Sequence, residues 1–168
     1  MVSIDSVSIT ASFLFLCIVL AHLGQRVNQL NETKQAQLRL DQINFINDST
    51  VDEALTEILW KWEWTDFDDY WRKYSPRNNP EANITRRVAR NYYVALAEMV
   101  RMGDLDIELL YALNPSGVTR YWEKIGPIAH TFRERNNYPD YLKPIEYLAI
   151  RVTELREKKN LPKPGQVN

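Results

Sequence analysis

From Val7 to Leu23 the chain reads VSITASFLFLCIVLAHL, without a single Asp, Glu, Lys or Arg. Apolar positions run unbroken from Phe13 to Ala21 instead of recurring on one face, the pattern of a helix that is apolar all round. At 17 residues the stretch sits at the lower edge of the roughly 17 to 25 that cross a bilayer as helix. Ser8, Thr10 and Ser12 can return their hydroxyls to backbone carbonyls one turn back, so they cost little there. The residues before it, MVSID, carry Asp5 and no basic group, which argues against a cleaved signal. A single transmembrane helix is therefore expected, with Cys17 as an apolar filler. Leu16 stands where a lipoprotein site wants a small residue. Asp5 precedes the span and Arg26, Lys34 and Arg39 follow it, which places the amino terminus outside and the remaining chain in the cytoplasm.

From Gln25 to Asn44 the pattern turns polar and contains neither Gly nor Pro, so the helix is expected to continue as a stalk. Leu20, Leu23, Val27 and Leu30 recur at heptad-like spacing until Lys34 and Gln37 break the register, which leaves self-association through the stalk open. Asn47 to Thr50 stop this helix and cap the next, with Glu53 in capping-box position after Thr50. Val51, Ala54, Leu55, Ile58, Leu59 and Trp62 then repeat every three or four residues. The segment WKWEWTDFDDYWRKY places seven aromatics in fifteen residues, more than can be left bare; a core corner is the expected reading and a membrane-interface patch the competing one. Asp66, Asp68 and Asp69 within it lack the Gly and closing Glu of a calcium loop and read as a helix start.

Pro80 suits the first turn of a long helix that Gly103 can close, with a buried stripe of Ile84, Val88, Tyr92, Ala95, Leu96 and Met99. A short helix starts at Asp104 or Asp106. The next, kinked at Pro127, puts Val118, Tyr121, Trp122, Ile125, Ile128, Ala129 and Phe132 on one face. After Asn136 to Pro139 the last stripe is Tyr141, Leu142, Ile145, Leu148, Ala149, Val152 and Leu155. No run of alternating Val, Ile or Thr asks for a sheet. The expectation is an all-α chain in four parts: a membrane anchor over 1–24, a helical stalk over 25–47, a compact multi-helix domain over 48–158 and a flexible tail over 159–168.

Composition narrows the function classes. With 21 Lys+Arg against 22 Asp+Glu and a net charge of -1, no global field exists to hold nucleic acid, and Arg86, Arg87, Arg90 and Arg101 read as a solvated helix face. One cysteine excludes a disulfide framework, a multi-thiolate zinc site or an iron-sulfur cluster within the chain. Three sequons, at Asn31, Asn47 and Asn83, arise readily by chance in an Asn-rich chain. Neither His22 nor His130 has a carboxylate at the spacing of a bundle metal site, and no phosphate loop, dinucleotide fingerprint or nucleophile elbow occurs. No metal or cofactor is expected, and the reading leans away from an enzyme.

One constellation stands out. Trp122 and Arg133 are eleven residues apart, about three helical turns, and share a face if the Pro127 kink is mild; Glu98, Asp106 and Glu146 border apolar stripes of other helices. The group is either a paired arginine at a helix junction or an acid-base or ligand site. The sequence YYVALAEMVRMGDLDIELLY, then RYWEKIGPIAHTFRER, then EYLA resembles the bacterial and archaeal family of domains of unknown function DUF4760, over roughly Thr50 to Glu154. The motifs that carry the resemblance are Gly103-Asp104-Leu105-Asp106, Tyr121-Trp122-Glu123, Pro127 with Arg133, and Glu146-Tyr147-Leu148. It implies a short helical domain behind an amino-terminal membrane anchor and names no substrate. The expected function is a membrane-tethered, cytoplasm-facing interaction or scaffold domain, with the bilayer and a protein, another copy included, as partners. The alternative is a small membrane-bound enzyme or ligand-binding domain that uses Arg133 and the carboxylates.

Overall fold

A computed structural model gives the backbone of residues 4–160, with side chains described for residues 19–160. All regular elements among the described residues are helical. Helix α1 (Ile4–Ile46) runs past Gly24 without a break, the continuation that the Gly- and Pro-free stalk pattern asks for. Among the described residues no helix is long and apolar enough to cross a membrane. The expected span falls on residues 7–23, most of whose side chains lie outside the described set. The part that is described lends it no support, because Gln25, Arg26, Asn28 and Gln29 come within six residues after Leu23.

The chain divides into two compact units, Met1–Asn44 and Phe45–Asn168. In the first, Leu20, Leu23, Val27 and Leu30 are all exposed.

The second unit is built from α2 (Ser49–Thr56), α3 (Phe67–Tyr74), α4 (Pro80–Met102), α5 (Ile107–Leu113), α6 (Gly117–Asn136) and α7 (Lys143–Lys158), with a π-helical turn at Glu57–Lys61. Four of these helices, α2 to α5, start where a short polar side chain meets free backbone N–H groups. Asp48, not Thr50, caps α2 and accepts from the Thr50 N–H at 2.8 Å. Asp66 accepts from Asp69 N–H at 2.9 Å, Asn79 from Ala82 N–H at 3.0 Å and Asp106 from Glu108 N–H at 2.8 Å. Gly103 ends α4 at φ 80°, a left-handed position that lets the Asp104 and Leu105 N–H groups return to the Met99 carbonyl.

Helix α7 packs against both α4 and α6, and α2 packs on α4. Their shared core holds Tyr93 and Leu96 of α4, Tyr121 and Ile125 of α6, and Ile145, Leu148 and Val152 of α7. The α6 and α7 stripes follow the hydrophobic pattern. That of α4 does so only in part: Tyr92 and Leu96 are buried, but Ile84 is 60% exposed, while Ala82, Ala89, Tyr93 and Ala97 are buried as well. Alanines share the contact face with the tyrosines and Leu96 because they let neighbouring helices approach closely, so Ile84 does not mark it.

The aromatic segment is not one helix. Backbone pairing widens to the π form at Glu57–Lys61, where Trp62 N–H reaches the Glu57 carbonyl, and the chain then runs irregularly to Asp66. Trp62 and Tyr70 are buried, with Trp62 stacked on Tyr74 at a centroid distance of 4.2 Å, whereas Trp60 is 68% exposed. Most of the rings thus form a core corner, and Trp60 and Trp71 face outward.

Candidate functional site

Helix α6 presents Trp122, Gly126, His130 and Arg133 along one face, at spacings of four, four and three residues. Gly126 sits at a close approach: a Cβ there would stand 3.2 Å from Trp122 Cε2, so the indole would have to shift by a few tenths of an ångström. The bare position lets the indole lie along the helix, where it meets the His130 ring edge-on at 5.7 Å. The Arg133 guanidinium carbon sits 5.7 Å from the Trp122 ring centroid. Pro127 lies inside α6, which continues through it as helix.

Arg133 is only 9% exposed, and its donors turn inward. Nε donates to the Tyr141 carbonyl at 2.7 Å and Nη1 donates to Glu146 Oε2 at 2.9 Å, with His130 Nδ1 at 3.4 Å from Nη1. Nη2 is buried with no hydrogen-bond partner. The Tyr141 carbonyl is available because the chain reverses between α6 and α7 through two left-handed residues, Asn137 at φ 49° and Leu142 at φ 57°. Asn tolerates that region; for Leu142 it costs energy, which the burial of its side chain and the bond from Arg133 to the adjacent carbonyl offset.

Glu146, on the first turns of α7, also accepts from Lys143 Nζ at 2.9 Å, and its Oε1 lies 3.9 Å from His130 Nε2. Burial pushes the Glu146 carboxyl up, but the hydrogen bonds from Lys143 and Arg133 outweigh it and hold the pKa below the ordinary 4.5. Glu146 is thus ionised at neutral pH, and with Arg133 it forms a clasp between α6 and α7.

The structure brings Arg133, Trp122 and Glu146 together and leaves the other two carboxylates elsewhere. Glu98 pairs with Arg101 of its own helix, accepting from Arg101 Nε at 2.8 Å, and Asp106 caps α5. Each is held by a local partner, so neither reaches Arg133. His130 and Lys143 belong to the cluster and were not singled out from sequence; their spacing of three residues from Arg133 and Glu146 was the available signal.

A second cation outside the sequence reading is Lys124 of α6. Its Nζ donates to the carbonyls of Leu59 and Trp62, each at 2.8 Å, and lies 5.2 Å from the Trp64 ring centroid. It thus closes the carboxyl end of the π turn, whose wide pairing frees those oxygens. Burial pushes the Lys124 pKa down, against the raising effect of the Glu63 charge. No group of three or more His, Cys, Asp or Glu among the described residues is placed to hold a metal ion.

The family model for the domain of unknown function DUF4760 matches residues 9–152. The chain belongs to the DUF4760 family. The match contains the Gly103, Trp122, Arg133 and Glu146 motifs and begins well ahead of Thr50, so the DUF4760 unit takes in most of α1 as well as the helical core. No curated protein and no solved structure matches the chain.

Proposed function

We propose that this DUF4760 chain is a helical interaction module, held at a membrane by its amino-terminal segment with the helical unit on the cytoplasmic side. The observation that carries this reading is the commitment of Arg133. Its Nε and Nη1 are spent on Tyr141 and Glu146, and Glu146 is shared with Lys143, so the constellation with most chemical character joins two helices and positions no nucleophile. The tether is supported by the charge-free stretch over residues 7–23. Confinement to a membrane raises the effective concentration of such a module for partners in the same bilayer.

The tether is tested by washing membranes of cells that express the full chain with alkaline carbonate. The full chain should stay in the pellet and a chain lacking residues 1–24 should be released. Extraction of the full chain sinks the tether, and digestion of the helical unit by protease added outside sealed cells sinks its orientation.

A further inference from the structure

Trp122 also lines a groove of about 330 Å³ between α6 and α7. Its apolar surface comes mainly from Trp122, Ala149 and Ile150, and Ile150 is 51% exposed. Every charged residue that lines it is acidic: Glu123 on the α6 wall, Glu154 and Glu157 on the α7 wall. Glu154 is paired with Arg151. The carboxylates of Glu123 and Glu157 make no ion pair or hydrogen bond among the described residues.

An apolar floor between two unpaired carboxylates selects a partner that brings apolar side chains flanked by positive charge. The groove follows α7 from Ala149 to Glu157, which at about 1.5 Å per residue is roughly 12 Å, the length of two helical turns. That length receives apolar residues at i and i+3 or i+4 of a docked helix, and the walls then meet Lys or Arg on both of its flanks. The part of the indole that lines the groove adds an aromatic face on which such a cation can rest.

We infer that this groove is the docking site for a basic amphipathic helix of a protein partner. The inference rests on the interaction reading and gives that reading a surface and a partner chemistry. Neither Arg133 nor Glu146 lines the groove, and the clasp touches it only through Trp122, whose ring centroid lies 5.7 Å from the Arg133 guanidinium carbon.

The test uses the full chain in nonionic detergent micelles, with the methyl resonances of Ala149 and Ile150 followed by NMR. The probe is a synthetic helix of roughly 14 residues built from Leu and Lys, and its control replaces each Lys with Glu. The Leu/Lys helix should shift both methyls saturably and the Leu/Glu helix should not. Glu123→Gln with Glu157→Gln, which alters only exposed and unpaired side chains, should weaken binding about tenfold. Absent shifts, or shifts unchanged by the double substitution, overturn the groove. So do equal shifts with tetramethylammonium, which make it a small-cation site, and shifts that grow with chain concentration alone, which make a second copy the occupant. Any of these leaves the carbonate result intact, and release of the full chain by carbonate leaves the groove intact, so the two failures are distinguishable.

Discussion

Tyr92 and Tyr93 are adjacent and both buried, yet only the first has its hydroxyl satisfied. Tyr92 donates to the Ile46 carbonyl at 3.1 Å, while the Tyr93 hydroxyl is buried without a partner. Burial pushes the Tyr92 hydroxyl up to about 12 and the Tyr93 hydroxyl well above its usual value, so neither ionises near neutral pH. Tyr92→Phe should cost about 1 kcal/mol and Tyr93→Phe should be neutral or stabilising by a similar amount, because one change deletes a bond and the other an unmet donor. Chemical denaturation of the two variants reads the difference in sign.

The same contact fixes where the helical unit begins. Ile46 is buried in the core, and Phe45 lies 5.4 Å from the Tyr92 ring. A chain that starts at Phe45 should unfold cooperatively, and one that starts at Asn47 should be less stable by about 2 to 4 kcal/mol, from one buried side chain and one hydrogen bond. Equal midpoints for the two chains would show that these residues contribute nothing.

Acid should loosen the clasp before it affects the apolar core. Glu146 has a folded pKa below its unfolded value of 4.5. Its stabilising contribution is therefore complete above about 4.5 and is lost as pH falls through the lower, folded value. Wild type should lose stability in that window, and Glu146→Gln should show a flatter profile there. Parallel profiles would place the acid sensitivity on other carboxylates.

The fold was legible wherever punctuation is local. Pro80, Gly103, Asp106 and Asn136 mark helix ends because each acts on backbone groups within one turn of itself. The α4 face was partly misread because Ala82, Ala89 and Ala97 bury little area of their own, so hydrophobicity gave them less weight than Ile84. The interruption after Lys61 depends on Lys124, more than sixty residues away, taking up the free carbonyls of Leu59 and Trp62. The choice of Glu146 over Glu98 for Arg133 follows from α7 packing on α6, a tertiary contact that helical spacing does not encode. Trp122 and Arg133 were legible as a pair because both lie on one helix.

That Arg133 serves the fold is tested most directly by the thermal unfolding of the full chain carrying Arg133→Ala. Removing it deprives Glu146 of its most buried partner, frees the Tyr141 carbonyl and takes the guanidinium away from Trp122. Losing one member of a buried pair costs about 3 kcal/mol, so the melting temperature should drop by roughly 10 °C. Lys143→Ala, which removes a half-exposed lysine from the same carboxylate, should cost well under about 1 kcal/mol. An unchanged melting temperature for Arg133→Ala, together with loss of a binding or turnover activity, would contradict the structural role and make Arg133 part of a reactive or ligand site.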